Sequence, residues 1–180
     1  MFRRLAAAAV LAATAACSAP PDKELHQAEG AIAAAKAAGA TRYAPDELKA
    51  AEAAVHDYRA AVDTRDYRQA LRLAMDAQVS ASAAARRAGD EKALARSRAD
   101  RLIGDLALLI DRMTVRPGLP ARVAPALAKQ RPAAVARLQE ARSRLEKQEY
   151  REVVASLEPL VAQLRRDLDQ AAAPPVRRAR

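Results

Sequence analysis

The sequence predicts an all-α fold: an elongated helical hairpin or bundle with coiled-coil-like packing and one long central helix. Three observations carry this. Alanine, leucine, arginine, glutamate and glutamine are abundant and favour helix, while glycine occurs five times and aromatic residues make up 3%. Apolar residues return at alternating steps of three and four along most of the chain, the spacing of one helical face. No stretch alternates apolar with polar residues, or concentrates β-branched ones, as a strand would.

The first element is not part of the folded body. Residues 1–16 read as a signal peptide: a basic start with Arg3 and Arg4, then an alanine-rich apolar run from Leu5 to Ala16. At about 12 residues the run is too short to span a bilayer, which takes roughly 20. The chain's single cysteine, Cys17, follows Ala15-Ala16 directly. Thr14-Ala15-Ala16-Cys17 resembles the lipobox of bacterial lipoproteins, with Thr14 in place of the usual leucine. The resemblance implies cleavage before Cys17, a diacylglycerol on its sulfur, further acylation, and, with Ser18 following, a periplasm-facing anchor in the outer membrane. Each buried methylene contributes ~0.8 kcal/mol, so two or more acyl chains anchor stably where one does not. No cofactor is expected beyond these acyl groups. A lone cysteine cannot close an internal disulfide.

Residues 17–21 form the lipidated linker, stiffened by Pro20-Pro21. Residues 22–113 are the first helical body. Asp22 is the expected N-cap of a helix whose stripe is Leu25, Ala28, Ile32, Ala35 and Gly39, with Gly39 suited to a left-handed cap. Pro45 opens the next helix, with Asp46 and Glu47 complementing its dipole and Leu48, Ala51, Val55, Tyr58 and Val62 as its stripe. Asp63 to Asp66 is a tight connection, and Asp66 with Gln69 has capping-box spacing. The third stripe runs Tyr67, Ala70, Ala74, Ala77, Ala81, Ala84 and Ala88, so that neighbouring backbones approach closely and each residue buries little area. It resumes at Ala95, Ala99, Leu102, Leu106, Leu109 and Met113. One helix over 67–113 would be roughly 70 Å long, and a break at Gly89-Asp90 is the alternative.

Residues 114–131 are expected to be a proline-containing connection, with a short helix from Ala121 interrupted by Pro125. Residues 132–172 should form a C-terminal hairpin. Pro132 starts its first helix, with Ala134, Leu138, Ala141 and Leu145 as the stripe. Its second carries Tyr150, Val153, Leu157, Leu160, Leu164, Leu168 and Ala171, kinked at Pro159. Residues 173–180 are a basic tail expected to be disordered.

Asp66-Tyr67-Arg68 recurs as Glu149-Tyr150-Arg151, an offset of 83 that also lays Ala51, Val55, Arg59, Val62 and Asp63 on Ala134, Leu138, Arg142, Leu145 and Glu146. Each copy is a helix, a polar turn, and a helix that opens with an acid, a tyrosine and an arginine. Ala38-Gly39-Ala40, Tyr43 to Leu48 and Asp66 to Ala70 carry a further resemblance. Leu25 to Ala88 is similar to a family of small bacterial lipoproteins of unknown function, whose module also occurs ahead of OmpA-like domains. That resemblance implies a helical envelope domain and carries over no catalytic residues. No OmpA-like domain is recognisable here.

The net charge of +9 is uneven. Residues 22–85 hold eight Lys/Arg against ten Asp/Glu, and residues 86–180 hold twenty-one against twelve. Arg86, Arg87, Arg96, Arg98 and Arg101 on the long helix, with Arg177 and Arg178 in the tail, are the candidate contacts for a polyanion such as cell wall or lipopolysaccharide. A tether outside the inner membrane argues against nucleic acid. His26 and His56 lie on different helices and lack the three or four ligands of a zinc site. No serine sits in a nucleophile elbow, and no glycine loop could cradle a phosphate. The sequence therefore reads as a non-catalytic, lipid-anchored envelope scaffold or adaptor, whose partners are the membrane and an envelope protein or a second copy.

Overall fold

The computed structural model describes residues 19–115 and 124–172. They form six helices and no strand: α1 (Asp22–Ala37), α2 (Ala40–Tyr43), α3 (Pro45–Asp63), α4 (Tyr67–Val115), α5 (Ala124–Glu146) and α6 (Tyr150–Ala172). The chain divides into two compact units at Lys92 and Ala93, within α4.

In the first unit, α3 runs antiparallel to both α1 and the opening half of α4. Partner numbers show it: Asp22 meets Tyr58 and Lys36 meets Glu52, while on α4 Arg87 meets Glu47. The core is the expected set of stripes. Ala28, Ile32 and Ala35 of α1 and Leu48, Ala51, Val55, Tyr58 and Ala61 of α3 are buried. On α4, Ala70, Ala74, Ala77, Ala81, Ala84 and Ala88 are each fully buried. Gly39 takes the left-handed conformation (φ 93°) that ends α1 and starts α2.

In the second unit, α6 runs parallel to the later half of α4. Arg98 pairs with Glu158 and Asp105 with Arg165, the same offset of sixty residues in both. α5 returns antiparallel beside α6. The core joins Leu106, Leu109 and Ile110 of α4, Ala134, Leu138 and Ala141 of α5, and Tyr150 to Ala171 of α6. Each unit thus holds an up–down–up set of three helices.

The corner between α3 and α4 and the corner between α5 and α6 share one hydrogen-bond pattern at the offset of 83. Arg65 N–H donates to Val62 O (2.9 Å) and Asp66 N–H to Ala61 O (2.9 Å), as Gln148 N–H does to Leu145 O (3.0 Å) and Glu149 N–H to Arg144 O (3.0 Å). This is the Schellman arrangement, with the residue after the helix end left-handed. That residue is Arg65 (φ 57°) in one corner and Gln148 (φ 60°) in the other. The repeat legible in the side chains is therefore a repeat of backbone geometry.

Two expectations need correction. Pro132 does not start a helix, because α5 begins at Ala124 and passes through it. Pro125 falls in the first turn, where a missing N–H leaves no helical bond unmade. Pro132 and Ala128, whose carbonyl loses its partner, are both exposed, so water can serve that carbonyl. Asp22 is the first helical residue rather than the cap; Pro21 holds the cap position, and no side chain caps the end. Its carboxylate accepts a hydrogen bond from the Tyr58 hydroxyl instead (3.4 Å). The long central helix is as expected, one element from Tyr67 to Val115, and the alternative break at Gly89-Asp90 does not occur. Gly89 is exposed, with no atom close to its Cβ position, so the glycine weakens the helix there without ending it. Pro159 lies inside α6 as expected, exposed together with Ala155.

Candidate functional site

Cys17, Arg177 and Arg178 lie outside the described residues. The described chain enters at Ala19, beside the corner between α3 and α4. Because α1 and α4 are both antiparallel to α3, their first turns lie at the same end of the first unit. Pro20 and Pro21 face Tyr67 and Leu71 there, across an open hollow of about 820 Å³ rimmed by Glu24, Arg65, Asp66 and Arg68. Asp66 Oδ1 accepts the backbone N–H of Gln69 (2.9 Å), one half of the predicted capping box. The other half is not made, since the Gln69 side chain accepts from Arg72.

The five candidate arginines of α4 are all exposed, and four have partners within the protein. Arg87 pairs with Glu47, Arg98 with Glu158, and Arg96 with Asp100 at 3.9 Å, while Arg101 donates to Ser97 Oγ at 3.0 Å. Arg86 lines a shallow hollow with Gln78, Val79 and Ser82. At roughly 100° per residue, Arg96, Arg98 and Arg101 point in spread directions, and Arg86 and Arg87 diverge from each other. In neither unit do these five candidate arginines line up as a single ridge.

The electrostatics are those of surface pairs and helix ends. The Glu47 carboxyl is held below the usual range, first by a hydrogen bond from its own backbone N–H at the start of α3 and then by Arg87, against an opposing desolvation. Glu140 is lowered in the same direction by Arg137 and Arg144. Tyr58, 2% exposed, has its phenol pushed up by burial and then by the Asp22 carboxylate beside it.

His26 and His56 are exposed on α1 and α3, and His56 Nδ1 lies 3.2 Å from Asp57 Oδ1. Among the described residues no group of three His, Cys, Asp or Glu could hold a metal. Ser82 and Ser156 donate back to the carbonyls of Gln78 (2.8 Å) and Val153 (3.0 Å), the habit of helical serines rather than of nucleophiles. No described helix is long and apolar enough to cross a membrane.

The sequence reading did not pick out the Asp22–Tyr58 contact or the outward apolar positions of α4. Leu71, Met75 and Val79 are 38%, 54% and 67% exposed. Their spacing of four could have revealed them, but it runs beside the stronger alanine stripe.

No family model, curated protein or solved structure matches the chain.

Proposed function

We propose that the protein is a non-catalytic lipoprotein of the bacterial cell envelope, anchored through acyl groups on Cys17, with its helices serving as a scaffold or adaptor on the periplasmic side of the outer membrane. The observation that carries this is the sequence from Arg3 to Cys17: a basic start, a short apolar run, two alanines and the chain's single cysteine. The resemblance of Leu25 to Ala88 to small bacterial lipoproteins, read from the sequence alone, implies the same. The build of the body agrees with it, since its buried side chains are apolar, with no buried charged residue among those described. A body of this kind offers helix faces to a partner.

Fractionation tests the reading. The unaltered chain should be recovered with outer membranes, and Cys17→Ser should lose that association or stall with its signal uncleaved. Recovery of the Cys17→Ser chain in outer membranes at the unaltered level would contradict it.

A further inference from the structure

We propose that the outward face of α4 between Arg68 and Arg86 lies against an anionic lipid surface, so that the first unit rests along the membrane rather than standing off it on its tether. The inference rests on the lipid-anchor reading of Cys17.

Leu71, Met75 and Val79 recur at steps of four on the side of α4 opposite its buried alanines. Leaving such a row in water is unfavourable, and these are the large apolar residues exposed in the first unit among those described. Arg68, Arg72 and Arg86 share the face and are exposed, against one acid, Asp76. Arg68 and Arg86 make no ion pair among the described residues, and Arg72 donates to Gln69, a neutral side chain. Apolar side chains flanked by long cationic ones are the make-up of a helix lying in the head-group boundary, the arginines reaching phosphates while the row sinks toward the acyl chains.

Position selects this occupant. Leu71, the first residue of the row, lines the same hollow as Ala19, Pro20 and Pro21. Cys17 is two residues before Ala19, a reach of roughly 7 Å. An acyl anchor there brings the lipid surface to one end of the row, and Val79 follows about 12 Å further along the helix. The tether also raises the effective concentration of lipid at the face, so a small apolar area suffices. A second copy fits less well, since pairing this face with itself sets arginines against arginines.

The test uses the full chain, extracted from bacterial membranes and reconstituted into vesicles of phosphatidylethanolamine and phosphatidylglycerol. A polarity-sensitive fluorophore is placed at Met75→Cys and, in a separate chain, at Ala53→Cys on the exposed side of α3. Spin-labelled lipid should quench position 75 at least threefold more than position 53. Arg68→Glu combined with Arg86→Glu, or replacement of phosphatidylglycerol by phosphatidylcholine, should cut the difference by half or more. Equal quenching at the two positions in a chain that still floats with the vesicles overturns the face while leaving the anchor intact. A position 75 shielded from both spin-labelled lipid and aqueous iodide means that protein covers the face, which also overturns the proposal. Failure of the unaltered chain to float with the vesicles would overturn face and anchor together.

Discussion

Arg65 and Gln148 hold the same left-handed backbone position, φ 57° and 60°, in two turns that lie 83 residues apart in the chain. Neither is a glycine, although a side chain in this conformation costs roughly 1 kcal/mol or more. Both are exposed at the corner. The surrounding backbone hydrogen bonds fix the conformation in spite of that cost. Arg65→Gly and Gln148→Gly should therefore each stabilise the protein, by up to ~1 kcal/mol, in urea unfolding monitored by circular dichroism. Arg65→Val should destabilise by a similar amount. Loss of stability in both glycine variants would mean that the side chains contribute more than the strain removes.

Gly89→Ala should stabilise by about 1 kcal/mol, because an interior helical glycine is replaced where nothing crowds the new methyl. Gly89→Pro should cost about 3 kcal/mol or more. A chain that broke at Gly89-Asp90 would show neither effect, so a pair of thermal melts decides the matter.

The alanine seam is fully buried, Ala74 and Ala77 included. Ala74→Leu should destabilise by ~1–3 kcal/mol through overpacking, whereas Ala83→Leu, on the outer side of the same helix, should be close to neutral. Equal melting temperatures for the two variants would show that the seam is looser than described.

The Glu47 carboxylate, held first by its own backbone N–H and then by Arg87, gives a pH dependence with a definite sign. A carboxyl whose folded-state pKa is lowered stabilises the fold at neutral pH, and that contribution fades as pH falls through its depressed range. Glu47→Gln should melt at a lower temperature than the unaltered chain at pH 7. The gap should close in acid, once both side chains are neutral. A gap that persists in strong acid would assign the effect to packing.

The seam from Ala70 to Ala88 was legible because a helix must bury one side, and the alanines keep alternating steps of four and three throughout that stretch. The two corners were legible because an acid, a tyrosine and an arginine recur after the same polar turn. The start of α5 was not. A proline marks a helix end by default, but the outcome at Pro132 depends on whether the freed carbonyl meets water, which no local pattern records. Asp22 lies one position inside the helix, and its carboxylate accepts from Tyr58, thirty-six residues away, a contact that no local pattern records. The outward row of Leu71, Met75 and Val79 was hidden because spacing alone does not say which of two stripes on one helix faces the core.

The central claim is the lipid on Cys17, and metabolic labelling with palmitate in the bacterial cell tests it most directly. The account predicts that the unaltered chain takes up label and that Cys17→Ser takes up none. Label persisting in Cys17→Ser, or absent from the unaltered chain, would contradict it.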